Sequence, residues 1–187
     1  FIGYFSEDND FRIDSDYTMK NLTGIYQINF DLSSGESQGI ADPAFLKKVE
    51  EFADFMRNER MVTHVNSITD VFKRLNKNMH ADEESYYKLP EARDLAAQYL
   101  LLYEMSLPYG LDLNNQVDVD KSATRLTANL GFVTTSEIIE IVTRAENWLK
   151  ENCPESMHTL ASSPGIMFSH ISHRNVVAML QGTLLAF

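Results

Sequence analysis

The sequence predicts an α+β fold of the ferredoxin-like type, in which two split βαβ units share one four-stranded antiparallel or mixed sheet. Three observations lead to this fold class. A strand-helix-strand pattern spans residues 25–68, a similar pattern returns at 123–163, and the stretch between them has helical spacing. We expect helices on one face of the sheet and the other face free to meet a partner.

The first βαβ unit begins with a strand at 25–32, where apolar and polar side chains alternate with a period of two. Asp42 and Pro43 then supply an N-cap and a proline at the first helical position, which predicts a helix over 43–59. A β-leaning stretch at 61–68 completes the unit. The apolar positions are Tyr26, Ile28, Phe30 and Leu32 in the strand, and Phe45, Val49, Phe52 and Met56 in the helix.

The second unit repeats this order. Alternation at 123–132 predicts a strand, Thr134 and Glu137 match a capping box, and Pro154 ends the helix that follows. Residues 157–163 are the predicted fourth strand. The apolar face comprises Leu126, Ala128, Leu130 and Phe132 in the strand, and Ile138, Ile141, Val142, Ala145, Trp148 and Leu149 in the helix.

Between the units, residues 70–118 are interpreted as a helical insertion that docks beside the sheet. One short helix begins near Val71, and Pro90 opens another that runs until Pro108. This insertion is rich in Tyr and Met, which suit loose binding of amphiphilic ligands, although the same side chains could simply pack the insertion on the sheet. The candidate substrate-binding residues are Phe72, Tyr86, Tyr87, Tyr99, Tyr103 and Met105, with Tyr109 nearby.

Composition restricts the function. The chain has 16 Lys and Arg against 27 Asp and Glu, a net charge of -11 that suits neither nucleic acid nor an anionic lipid surface. Cys153 is the only cysteine, so the chain can form neither an internal disulfide nor a Cys-rich zinc site. Its place at a helix C-terminus argues against a nucleophile.

No catalytic pattern stands out in the sequence. It has no Gly-x-Ser-x-Gly, phosphate loop, Gly-x-Gly-x-x-Gly or His-Glu-x-x-His motif. His170 and His173 have helical i, i+3 spacing without a third ligand, and the acidic stretch 112–120 lacks the glycine and glutamate of a calcium loop. We therefore expect a protein that is not an enzyme and uses no cofactor or metal.

Both ends of the chain are apolar. It opens with residues 1–5 and closes with the uncharged run 176–187, which is too short to cross a bilayer. The closing run could be a helix that docks on the core. We favour the alternative that the chain is a loop of a membrane protein, in which residues 1–5 and 176–187 are short parts of the flanking membrane helices.

Several stretches resemble the bacterial exporters of the resistance-nodulation-division (RND) superfamily, in their MMPL-like, hydrophobe/amphiphile branch. The most specific is the run Gln-Tyr-Leu-Leu-Leu-Tyr-Glu at 98–104, which follows Lys-Leu-Pro-Glu-Ala-Arg at 88–93. The weaker similarities are Phe5 with 11–16, Asn-Leu-Thr-Gly at 21–24 and Thr-Arg-Leu-Thr at 124–127. Together they extend over nearly the whole chain.

The resemblance implies the extracytoplasmic loop between the first and second membrane helices, a porter domain of ferredoxin-like build. The parent would lie in the inner membrane of a bacterium, with this domain facing the periplasm or cell exterior. The implied organisation is a linker from the first membrane helix at 1–20, the first βαβ unit at 21–69, the insertion at 70–118, the second βαβ unit at 119–168, and a helical link into the second membrane helix at 169–187.

The implied function is that of a proton-driven exporter domain that handles lipid-like or amphiphilic substrates. Its partners would be the membrane helices and second extracytoplasmic loop of the parent, which could itself be a homo-oligomer. The coupling residues of such exporters lie in membrane helices outside this chain. Two alternatives are a stand-alone ferredoxin-like ligand-binding or adaptor domain that dimerises through its open sheet face, and a small hydrolase or metal enzyme using His170 and His173.

Overall fold

A computed structural model describes residues 2, 5–22, 24–108 and 113–186 of the chain. Within this part, six helices accompany a three-stranded antiparallel sheet, which confirms the predicted α+β class. The elements in chain order are α1 (Asp10–Asn21), β1 (Tyr26–Ser33), α2 (Pro43–Arg57), β2 (Val62–Asn66), α3 (Ile68–Met79), α4 (Arg93–Ser106), β3 (Ala123–Leu130), α5 (Thr135–Asn152) and α6 (Pro164–Ala186).

The sheet has the strand order β1-β3-β2, and β3 is antiparallel to both neighbours. Phe30 of β1 lies opposite Leu126 of β3, and Val65 of β2 lies opposite Ala128. The register shifts once in β2, where a bulge follows Val62. The first strands of the two predicted βαβ units are therefore neighbours in one sheet.

The predicted fourth strand at 157–163 is not confirmed. Asn29 and Ser162 form an isolated antiparallel bridge at the free edge of β1 instead of a ladder. The Asn29 N–H donates to the Ser162 carbonyl at 3.0 Å, and the Ser162 N–H donates back at 2.9 Å. The sheet formed by the described residues thus has three strands rather than four.

The residues on either side of Ser162 do not extend the pairing with β1. The N–H of Ala161 donates to the carboxylate of Glu146 at 3.0 Å. One residue beyond the bridge, the Ser163 hydroxyl accepts from the backbone N–H of Ile166 at 3.1 Å, so the chain is already entering α6. In an antiparallel ladder only every second residue turns its N–H toward the partner strand, so the Ala161 N–H faces away from β1. The next position after Ser162 that would face β1 is Pro164, which has no N–H and begins α6.

The predicted helix starts are confirmed in both units. The Asp42 carboxylate accepts from the Ala44 N–H at 2.9 Å, with Pro43 at the first helical position. At the start of α5, Thr134 and Glu137 form the reciprocal bonds of a capping box. These caps satisfy backbone donors that would otherwise lack partners at each helix terminus.

The core lies between one sheet face and helices α2 and α5. Phe52 of α2 is fully buried, and its ring meets Phe30 edge-on at 5.0 Å and Trp148 of α5 at 5.5 Å. The predicted apolar faces are buried or half-buried except at Phe132, which is 56% exposed because β3 ends at Leu130. The outer face of the sheet is polar and consists of Gln27, Asn29, Asp31, Arg125, Thr127 and Asn129 with His64 and Asn66.

The insertion is helical as predicted, with boundaries that differ slightly. Helix α3 begins at Ile68, capped by the Ser67 hydroxyl, which accepts from the Thr69 N–H at 3.3 Å. Helix α4 begins at Arg93 rather than at Pro90. The two helices pack together and bury Phe72, which joins the insertion to the main core.

Helix α6 leaves the domain after its first turns. Ile166 and Ser169 are buried, whereas the residues from His170 to Leu185 are all exposed. The alternative in which the closing run docks on the core is therefore wrong for residues 176–185. Phe187 and residues 1, 3 and 4 of the opening run lie outside the described residues. Among the described residues, no helix combines the length and apolar character that crossing a membrane requires.

Candidate ligand-binding cleft

The six predicted substrate-binding residues do not form one cluster. Phe72 is fully buried and Tyr99 is 5% exposed. This burial favours the alternative in which these side chains pack the insertion on the sheet rather than bind a ligand. The Tyr99 hydroxyl donates to the amide oxygen of Asn76 at 3.1 Å. Asn76 in turn donates to the backbone carbonyls of Tyr86 and Lys88, which holds the loop after α3 in place.

Two more of these residues lie in different surroundings. The Tyr86 ring stacks on His80 with 3.8 Å between ring centroids, and Met105 is 77% exposed on α4. Only Tyr87 and Tyr103 line a common cleft. Tyr109 lies outside the described residues. The aromatic cluster that the sequence predicted is thus reduced to two tyrosines at one opening.

That opening, which we call the β2–α3 cleft, has a volume of about 740 Å³. It is bounded by strand β2, the first half of α3, the end of α2 and the two tyrosines. Its volume falls in the usual range for small-molecule sites, but its walls are polar rather than apolar. The side chains that give it this character are Arg57, His64, Asp70, Lys73, Arg74 and Tyr87.

An ion-pair network fixes two of the cationic side chains. Arg57 contacts Glu50 at 3.3 Å, Asp54 at 2.8 Å and Asp70 at 2.7 Å. Lys73 contacts Glu50 at 2.5 Å and Asp70 at 3.0 Å. The network connects the end of α2 with the beginning of α3. Since its members are partly exposed, it contributes geometry more than stability.

Both cations of the network keep their charge. Burial alone would lower the pKa of Lys73, but hydrogen bonds to Glu50 and Asp70 raise that pKa above its ordinary value. Burial also lowers the pKa of Arg57, but its acidic partners outweigh burial and raise that pKa above its ordinary value. The Lys73 ammonium also lies 5.4 Å from the ring centroid of Tyr87, within cation–π range.

Arg74 differs from these two cations. It is exposed on the cleft side of α3 and makes no ion pair with any other residue that the structure describes. Sequence reasoning missed it, although a signal was present. Asp70, Lys73 and Arg74 have i, i+3 and i, i+4 spacing, which puts them on one face of a helix.

A smaller cleft of about 330 Å³ lies on the outer sheet face beside the hairpin that leads into β3. The Asp118 carboxylate accepts hydrogen bonds from the Ser122 N–H at 2.7 Å, the Ser122 hydroxyl at 2.6 Å and the Ala123 N–H at 2.9 Å. Burial would raise the pKa of Asp118, but these bonds lower it overall. This carboxylate has a structural role in the turn.

The remaining candidates have no such setting. His170 and His173 are exposed on α6, and no group of three metal-binding side chains occurs in the described ranges. Burial raises the pKa of the Cys153 thiol, which disfavours the reactive thiolate. The first residue of the 112–120 stretch lies outside the described residues.

Comparisons of the chain with known protein families, with curated proteins and with solved structures found no match.

Proposed function

We propose that this chain is the extracytoplasmic porter domain of a proton-driven exporter of the RND superfamily, which handles lipid-like or amphiphilic substrates. The observation that carries the proposal is α6, a helix with exposed apolar side chains on all sides that leaves a folded α+β domain. The sequence resemblance at 88–106 supports the same function independently. In this proposal the parent lies in a bacterial inner membrane, with the domain facing the periplasm or exterior.

The sheet supports a ferredoxin-like fold as part of the proposal. β1 and β2 run in the same direction with β3 between them, and α2 connects them. The Asn29–Ser162 bridge places the segment after α5 beside β1 and antiparallel to it. The bridge lies on the side of β1 where a ferredoxin-like fold has its fourth strand, which supports the proposal that each βαβ unit has one strand of the other between its own two strands.

Helix α6 has the surface of a helix that needs apolar surroundings. No charged residue occurs in 175–186. Successive residues of a helix are about 100° apart, so the exposed large side chains face every direction around the axis. These side chains are Met167, Phe168, Ile171, Val176, Val177, Met179, Leu180, Leu184 and Leu185. We infer that the membrane part of the parent, or the adjacent lipid, surrounds this helix.

The adaptor alternative has less support. It requires dimerisation through the open sheet face, yet that face carries polar side chains such as Asn29, Asp31 and Arg125. Homodimer interfaces usually have a more apolar centre than this. In the proposed exporter the same face could line a polar passage between this domain and the second extracytoplasmic loop.

Vesicle flotation tests the role of α6. The 187-residue chain should float with neutral phosphatidylcholine vesicles, and the double variant Leu180→Asp/Leu184→Asp should remain at the bottom of the gradient, because buried charge is costly in lipid. Leu160→Asp is the matched control, since Leu160 is 73% exposed outside α6. Failure of the unaltered chain to float, or equal loss with the control, would refute this role.

A further inference from the structure

We propose that the β2–α3 cleft binds a phosphate group, through the free guanidinium of Arg74 and the imidazole of His64 on the facing strand. The group could belong to a lipid headgroup or to a free phosphate compound. The lipid source rests on the proposed function, whereas the free phosphate source does not.

Charge around the cleft provides the first argument. Arg57 and Lys73 carry two positive charges against the three negative charges of Glu50, Asp54 and Asp70, so this network has a net charge of about −1. Arg74 brings this sum to about zero, and its guanidinium lines the cleft without an ion-pair partner among the described residues. An anion that enters the cleft would give Arg74 the partner that the described residues do not provide.

Available hydrogen-bond donors provide the second argument. The side chains of His64, Asn66 and Arg74 line the cleft and make no hydrogen bond with another described residue. A guanidinium presents parallel N–H donors whose spacing matches two phosphate oxygens, and an imidazole or amide N–H can serve a third.

The shape of the cleft favours a headgroup-sized ligand over an acyl chain. Its polar walls offer little apolar area, and it is open to solvent, so an attached tail could remain outside. Arg57 and Lys73 are held in place by their ion pairs, which keeps the wall opposite β2 ordered before binding. A preorganised site loses less conformational entropy when the ligand arrives.

Titration calorimetry at low salt tests the inference with two probes, inorganic phosphate and monomeric dihexanoyl phosphatidylglycerol. Removing a charge-assisted pair weakens binding by about tenfold or more, which is the expected effect of Arg74→Ala on the affinity of each bound probe. Arg74→Lys retains the positive charge but lacks the parallel N–H donors of a guanidinium, so its affinity should lie between those of the unaltered chain and Arg74→Ala. Lys47→Ala is the control, because Lys47 is exposed elsewhere and also lacks an ion pair within the described chain.

Each outcome decides the matter. Binding of both probes supports recognition of the phosphate group itself, binding of the lipid alone supports a headgroup, and binding of inorganic phosphate alone supports a free compound. Absence of binding for both probes overturns the inference, as does an Arg74→Ala chain that binds like the unaltered one or a Lys47→Ala chain that is equally weakened. The α6 variant used in flotation should bind phosphate normally, which separates this test from that of the proposed function.

Discussion

The two βαβ units use the same parts and finish differently. In the first, α2 leads into β2, whose residues pair with β3 along the strand. In the second, α5 leads into the segment 157–163, which makes the single Asn29–Ser162 bridge. Both helices are capped at their first turn. They meet in the shared core, where Phe52 of α2 contacts Trp148 of α5.

The following helix does not explain the difference. Both closing segments run directly into a helix that begins at a serine, Ser67 before α3 and Ser163 before α6. What differs is the stretch before that serine. β2 pairs with β3 over Val62–Asn66, whereas the segment after α5 starts with the 3-10 turn Glu155–Met157 and then makes one bridge.

The largest expected effect comes from the core that both units share. Phe52→Ala should lower the free energy of unfolding by about 3–5 kcal/mol, because it leaves a cavity between Phe30 and Trp148. Urea unfolding measures this change. Phe132→Ala, at an exposed position, should change the same quantity by less than about 0.5 kcal/mol. Equal effects of the two substitutions would contradict the packing of Phe52 between Phe30 and Trp148.

The next effect compares the two closing segments. Val65 of β2 is 3% exposed, and Val65→Ala should cost about 2 kcal/mol of unfolding free energy. Leu160→Ala removes a larger side chain from the segment after α5, yet it should have almost no effect because Leu160 is 73% exposed. A larger cost at Leu160 than at Val65 in urea unfolding would reverse the comparison.

A smaller effect concerns the donor that Glu146 occupies. Glu146→Ala should cost about 1 kcal/mol and speed hydrogen exchange of the Ala161 amide, while the Ser162 amide stays protected by the bridge. Glu140→Ala, on the exposed side of α5, is the control. Equally fast exchange of the Ala161 amide in both chains would contradict the bond to Glu146.

The smallest effect is a pH dependence in the hairpin that precedes β3. The pKa of Asp118 in the fold is lowered from its ordinary value of 3.8, so its stabilisation is present above that value. It is lost as pH falls through the lower folded pKa. Asp118→Asn should be less stable than the unaltered chain by on the order of 0.5 kcal/mol near neutral pH, discounted for exposure, and this gap should narrow as pH falls below the ordinary pKa of 3.8. A gap that widens in acid would contradict this sign.

Much of the fold could be predicted because its signals are local. Alternation around Phe30 and the Thr134–Glu137 box each involve neighbours in sequence, and both are confirmed. The fourth strand was predicted at 157–163 as the counterpart of β2, but the sequence pattern does not show that a 3-10 turn at Glu155–Met157 and the start of α6 at Pro164 leave room for a single bridge.

The cleft could not be predicted for a related reason. Its side chains come from α2, β2, α3 and the loop after α3, and no motif joins them. Whether a charge is free depends on tertiary neighbours, as the contrast between Lys73 and Arg74 shows. Likewise, Phe72 and Tyr87 are both aromatic residues of the insertion, and only the folded structure shows that Phe72 is buried and Tyr87 is exposed.

The most direct test of the central proposal is an immunoblot of fractionated cells that naturally make this protein, with an antibody raised against the 187-residue chain. The exporter proposal predicts a band several times larger than 21.3 kDa in the inner-membrane fraction. A band near 21.3 kDa in the fraction that contains no membranes would contradict it.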